Sequence, residues 1–343
     1  MLETPARCSI SYAVAYIAIR MILAGIDEAG YGPLLGPLVV GCCAFSVPDG
    51  GVTGEVADLW KMLKKVVSRH KPKGKNRLHI NDSKAVYSPS IGLKELERSV
   101  LAVAECTFGA KANLDEFMHA IAPGVLADLG QHPWYGNGEG ETFPIEIEAI
   151  GARISANALK IEMARAGVQC VHLCAKVMPE RPLNVLLEKT RNKSNVLFSM
   201  ASVHLDFLVR NFGKQGLTIF CDRQGGREHY GQLLRLTFEE YDLEIEREGD
   251  GRADYILKKQ SEVIRIIFCE KAEGLCLPTA MASMISKYLR EALMARFNRF
   301  WLQHLPDIVP TAGYYNDGLR FLRDIELKRK ELGVKDAELI RCR

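Results

Sequence analysis

The stretch ILAGIDEAGYGPLLGPLVVGCCAF, residues 22–45, decides how the chain is read. Residues 22–26 form a short apolar run and residues 37–45 a longer one, and each reads as buried strand. Between them Gly30, Gly32, Pro33, Gly36 and Pro37 exclude helix and make a turn. Asp27 and Glu28 stand where the first strand meets that turn. Neighbours in a regular strand point to opposite faces. The two carboxylates therefore serve one site only if the strand ends there and the chain turns. Glycines in the turn let the backbone come close to a ligand. An acid pair beside exposed N–H groups suits divalent-metal and phosphate chemistry. The competing reading is a tight turn with solvated acids.

Four further segments bear on the same chemistry. They are Asn81-Asp82-Ser83-Lys84, LTIFCD at 217–222, ASMISKYLRE at 282–291 and Gly313-Tyr314-Tyr315. Taken alone, an aspartate ending a strand reads as a turn former, and Glu291 as a solvated helix residue.

Together these segments resemble the ribonuclease HII family, the type 2 ribonucleases H. GIDEAGYGP at 25–33 is similar to the family's first signature, G-x-D-E-A-G-R-G-P, with Tyr31 in place of the arginine. Asp82-Ser83-Lys84 resembles its D-S-K element, and LTIFCD the central strand that ends in a catalytic acid. ASMISKYLRE resembles the helix A-S-I-I-A-K-V-x-R-D, with Glu291 replacing the aspartate. Gly313-Tyr314-Tyr315 is a weaker match to a G-Y-G whose tyrosine stacks beside the RNA–DNA junction.

The resemblance implies an α/β, ribonuclease H-like fold: a mixed five-stranded sheet flanked by helices. The catalytic domain would span 21–317, with an insertion at about 112–190 and a helical C-terminal extension over 318–343. It implies an endonuclease that hydrolyses the RNA strand of RNA–DNA hybrids, or ribonucleotides embedded in duplex DNA, with two Mg²⁺ or Mn²⁺ ions. Asp27, Glu28, Asp222 and Glu291 would be both catalytic residues and metal ligands, with Glu273 in reserve. Gly30, Tyr31, Gly32, Lys84, Lys287 and Tyr314 would bind substrate. Tyr31 lacks the guanidinium fork and would stack on a base or sugar instead. The alternative is an inactive or differently specific nucleic-acid-binding relative, such as a nuclease of branched DNA. A dinucleotide-binding loop is disfavoured, because that fold needs a helix directly after the glycines, where 37–45 reads as strand.

Composition sets wider bounds. With 343 residues, 48% hydrophobic and 25% charged, the chain reads as an ordinary globular protein of one large or two moderate domains. A net charge of +3 carries no global signal for nucleic acid. Lys61, Lys64, Lys65, Arg69, Lys71, Lys73, Lys75 and Arg77 crowd one acid-free stretch suited to a phosphate backbone. The ten cysteines contain no C-x-x-C pair and read as reduced thiols of a cytoplasmic protein. Cys170, His172 and Cys174 would share one strand face, read as core rather than metal site. Residues 1–20 read as an extension too interrupted to span a bilayer, with Met21 an alternative start. The expected state is a monomer with no membrane partner.

Periodicity predicts helices over 91–104, 145–166, 194–212, 278–299 and 318–332. Strands are predicted over 104–111, 168–177, 217–221, 240–248 and 263–270.

Overall fold

The structure is a computed structural model. It describes residues 20–48, 56–74, 77–136, 138 and 140–342. The expected extension over 1–20 falls almost wholly outside these residues, as does Lys75 of the basic stretch.

A seven-stranded mixed sheet organises the chain. Its strands are β1 (Arg20–Ala29), β2 (Leu38–Pro48), β3 (Gln169–Met178), β4 (Leu217–Asp222), β5 (Asp242–Gly249), β6 (Arg252–Lys259) and β7 (Glu262–Cys269). Their order is β3-β2-β1-β4-β7-β6-β5. β1, β4 and β7 run parallel at the centre, and the flanking pairs are antiparallel. The α/β class is as expected, but the sheet has seven strands rather than five. The strand missed is β6: its apolar content is only Ala253, Tyr255, Ile256 and Leu257, set between charged ends.

β1 and β2 are buried on both faces, which explains why they read as continuous apolar runs. Leu23, Val39 and Cys43 face one core; Ile22, Ala24, Ile26, Val40 and Cys42 face the other. The first core is filled by α2 (Lys94–Phe108), α3 (Ala149–Ala166) and α6 (Leu277–His304), with α1 (Ser83–Val86) at its edge. The second is covered by α4 (Glu180–Thr190) and α5 (Lys193–Phe212). α2 continues to Phe108 and stops at Gly109, whose φ is +75°, so the strand expected over 104–111 is helix instead. Its buried face, Val100, Val103 and Ala104, carries the helical pattern through the boundary.

The region expected as an insertion supplies the edge strand β3 and the helix α3. The helical extension expected after 318 is present and packs onto the fold. Phe321, Ile325 and Leu339 are fully buried in the same core as α6. Among the described residues no helix is long and apolar enough to cross a membrane.

α6 sits unusually close to the sheet. A Cβ on Gly25 would lie 2.0 Å from the Thr279 backbone nitrogen, and one on Gly41 would lie 2.5 Å from the Ala282 carbonyl oxygen. The missing side chains are what allow helix backbone to rest on strand backbone. Gly25→Ala is expected to cost about 3 kcal/mol or more by overpacking, since backbone rather than a flexible side chain must move. Urea unfolding reads this directly, and a loss below about 1 kcal/mol would contradict the close approach.

Candidate active site

Asp27 lies near the end of β1 and Asp222 ends its parallel neighbour β4. The β1–β4 pairing stops at Ile26–Cys221, one residue before both acids. Beyond that point the two strands leave a crevice, the usual place for a site in a sheet of parallel strands. Carboxylate oxygens of Asp27, Glu28 and Asp222 all lie within 4.8 Å of one another.

Glu28 joins the group although β1 does not end before it. Pairing with β2 continues through Asp27–Gly41 and Glu28–Val40. The expectation that the strand must stop is thus wrong; losing one neighbour is enough to free the side chain on that flank. The Asp27 carboxylate also accepts the Glu28 N–H at 2.6 Å. From α6, the Ser286 hydroxyl donates to the Asp27 carbonyl at 3.1 Å.

A fourth acid comes from the next strand. β7 ends at Cys269, Lys271 turns the chain with φ +56°, and Glu273 follows on a single 3-10 turn. The Ala272 N–H donates to Asp222 at 3.3 Å. One Glu273 oxygen is buried without a partner. Glu273 was the reserve choice; its signal was that it follows a third parallel strand as Asp222 ends the second. Glu291 is not among the three acids grouped within 4.8 Å. Its carboxylate takes the Tyr87 hydroxyl at 2.8 Å and the Lys287 ammonium at 2.5 Å. Lys287 lies over the Tyr87 ring and is committed to that pair.

Burial dominates the charge state of the four acids. It pushes Glu28 up to about 8 and Glu273 to about 7, and raises Asp27 and Asp222. The neighbouring carboxylates add to the rise at Asp27, Glu28 and Glu273. Lys84, exposed at the start of α1, opposes it at Glu28, Asp222 and Glu273, so it faces the cluster. An all-oxygen donor set with an orphaned buried oxygen and crowded negative charge fits a hard divalent cation.

Buried charge fixes the adjoining turn. Arg290 of α6 donates to the carbonyls of Pro37, Leu35 and Ala312 at 3.0, 3.2 and 3.0 Å. Arg341 donates to the carbonyls of Gly30 and, at 3.4 Å, Tyr31. Glu180 accepts the Gly36 N–H at 2.9 Å. Sequence patterns missed all three, because none is near the turn in the chain. Gly30 needs its positive φ of +89°, while Gly32 is exposed with open space where a side chain would be. Tyr31 is half-buried beside Gly225, with the Lys193 ammonium 4.9 Å from its ring centre. Tyr314 is exposed, and Gly313 before it accepts from the Leu34 and Leu35 N–H groups of the turn. Arg69 stacks on Trp60 and donates to the Gly274 carbonyl, which brings the basic stretch up to Glu273.

An α/β protein with four acids gathered at the ends of three adjacent parallel strands is thus defined. Comparisons with known proteins give partial matches. No protein-family profile matches the chain. Ribonuclease HII of Chlamydia abortus is 38% identical over 117 residues, 32% of this chain and 48% of that protein. Ribonuclease HII of Chlamydia caviae is 33% identical over 114 residues, 33% of this chain and 44% of that protein. The matched region spans less than half of each relative. Over that stretch the chain is similar to the ribonuclease HII proteins. Among solved structures, RNase HII in its PCNA complex from Archaeoglobus fulgidus is 14% identical over 94% of each chain, with a TM-score of 0.40. Bst-RNase HIII in complex with Mn²⁺ is 13% identical over 99% of this chain and 72% of that one, at 0.42.

The raised acids have a consequence for stability. Without metal, Glu28 and Glu273 keep protons in the folded chain that the unfolded chain has lost above about 4.5. The fold then binds more protons than the unfolded state, so stability falls as pH rises. In EDTA, the melting temperature of the wild type relative to Glu28→Gln is expected to drop between about pH 5 and 8. Added Mg²⁺ is expected to restore it at the upper end by replacing the protons. A difference that rises with pH in EDTA would contradict the buried cluster.

Proposed function

We propose that the chain is an endonuclease that hydrolyses the RNA strand of RNA–DNA hybrids, or ribonucleotides embedded in duplex DNA. The observation that carries this is the convergence of Asp27, Glu28, Asp222 and Glu273 at the sheet's central strand ends. A binding module has no use for so costly a group of buried acids.

Asp27, Glu28, Asp222 and Glu273 would hold Mg²⁺ or Mn²⁺. When bound, a pair of such ions supplies an activated water and charge stabilisation at the phosphate. Asp27, the most enclosed of the four, is suited to lie between two ions. Lys84 faces the same space and would meet a phosphate oxygen. The backbone of the turn, exposed at Gly32, offers polar groups to a ribose 2′-hydroxyl, the group that distinguishes RNA from DNA. Arg290 and Arg341 hold that backbone still, so that its geometry is set before substrate arrives. Tyr31 lines the same entrance under Lys193, and Tyr314 stands exposed beside the turn, ready to stack on a sugar or base. Lys61, Lys64, Lys71 and Lys73 are exposed and would carry the duplex flank. Glu291 and Lys287, locked to each other and to Tyr87, would support the wall behind Tyr314 rather than bind metal.

Cleavage of two labelled duplexes tests the reading, one with a single ribonucleotide in DNA and one a continuous RNA–DNA hybrid, each with Mg²⁺ and with Mn²⁺. Metal-dependent cutting is expected. Asp222→Asn and Glu273→Gln are each expected to reduce it at least about 100-fold, the scale of losing several kcal/mol of charge stabilisation. Glu291→Gln is expected to stay within about threefold, well under 1 kcal/mol. Equal losses for Glu291→Gln and Glu273→Gln would return Glu291 to the metal site. Binding of both duplexes with no cutting of either would overturn the hydrolase reading.

A further inference from the structure

A second cluster of metal-ligating groups lies on the opposite face of the sheet from α6. The expected face of Cys170, His172 and Cys174 does not form. β3 pairs Cys170 with Phe45 but His172 with Ala44, which leaves Val171 as an extra residue. This bulge reverses the alternation. Cys170 turns into the core beneath α2, α3 and α6, whereas His172 and Cys174 face α5. There Cys174 pairs directly with Cys42 of β2. His204 comes down from α5 onto the same spot. Ligand atoms of Cys42, His172 and His204 lie within 4.8 Å of one another.

We propose that Cys42, His172 and His204 bind a borderline-soft divalent ion of the zinc type, with Cys174 the available fourth donor. Thiolate and imidazole are the ligands such an ion takes in a four-coordinate site, and they are poor ligands for Mg²⁺. The geometry around His204 fits. Its Nε2 lies 3.0 Å from the Val40 carbonyl, which fixes the proton there and leaves Nδ1 as the lone-pair donor. A ring N–H held by a backbone carbonyl is the usual support for a metal-bound histidine. The His172 ring is also fixed, stacked on Phe207 with centroids 4.1 Å apart and planes at 21°. A dry core alone would be filled more cheaply by apolar side chains than by two histidines and a thiol. His172 is only partly buried on the edge strand, which gives an ion a way in. Bound there, the ion would tie β2 and β3 to α5, a structural role separate from the carboxylate cluster.

The test uses the full chain stripped of metal and titrated with Co²⁺, whose absorption reports its ligands. One equivalent is expected to give a thiolate-to-cobalt charge-transfer band with tetrahedral d–d bands, displaced by Zn²⁺. The band is expected to vanish in Cys42→Ser and to need higher Co²⁺ in His172→Gln, which changes a partly exposed residue and guards against a misfolded core variant. It is expected to survive in Asp222→Asn. Absence of the band in folded wild type, or its persistence in Cys42→Ser, would overturn the proposal. Neither result depends on nuclease activity.

Discussion

Helix backbone pressed on strand backbone is the constraint from which the rest of the architecture follows. Gly25 and Gly41 permit α6 to lie against β1 and β2 with nothing between them. Only at that distance can Thr279 donate to the Phe220 carbonyl and Ser286 to the Asp27 carbonyl. The same helix, about one turn beyond Ser286, carries Arg290 into the turn after β1. One rigid element therefore sets the strand ends, the acids on them and the loop beside them. A helix held off by ordinary side chains would lose all three registrations together.

The acid cluster works against the fold that holds it. Four carboxyls, two buried and two partly so, next to one another, are tolerated only as protonated groups or with a cation among them. The turn poses the mirror problem. Arg290 and Arg341 bury positive charge side by side, and burial together with Arg290 draws Arg341 down to about 10. Glu180, fully buried, offsets them. Both halves of the site store electrostatic cost in a rigid frame, as preorganised sites do.

Much of this was legible in the sequence because it was local. The apolar runs of β1, β2 and β4, the breakers between the first two, and the helices α5 and α6 all declared themselves within short windows. Asp27, Glu28 and Asp222 were found as residues at strand ends. What stayed hidden was non-local. Glu273 ranked behind Glu291 because a motif was matched along the chain, whereas its place beside Asp222 depends on which strand lies next to β4. Cys170 was put on the wrong face because one unpaired residue in β3 inverts a strict alternation. Arg341 and Glu180 carried no signal, since their partners are backbone carbonyl and N–H groups of a turn far away in sequence.

That separation has a bearing on how the protein is made. Gly30 and its donor Arg341 are 311 residues apart. Closing so long a loop is among the slowest contacts to form, and during synthesis it cannot form until Arg341 has left the ribosome. The first strands can pair and collapse with their acids long before then, but the turn beside them stays without its second guanidinium. A chain lacking Arg341 would thus carry the carboxyl groups without the fixed turn beside them. The timing of this contact ties the order of the turn to synthesis through Arg341.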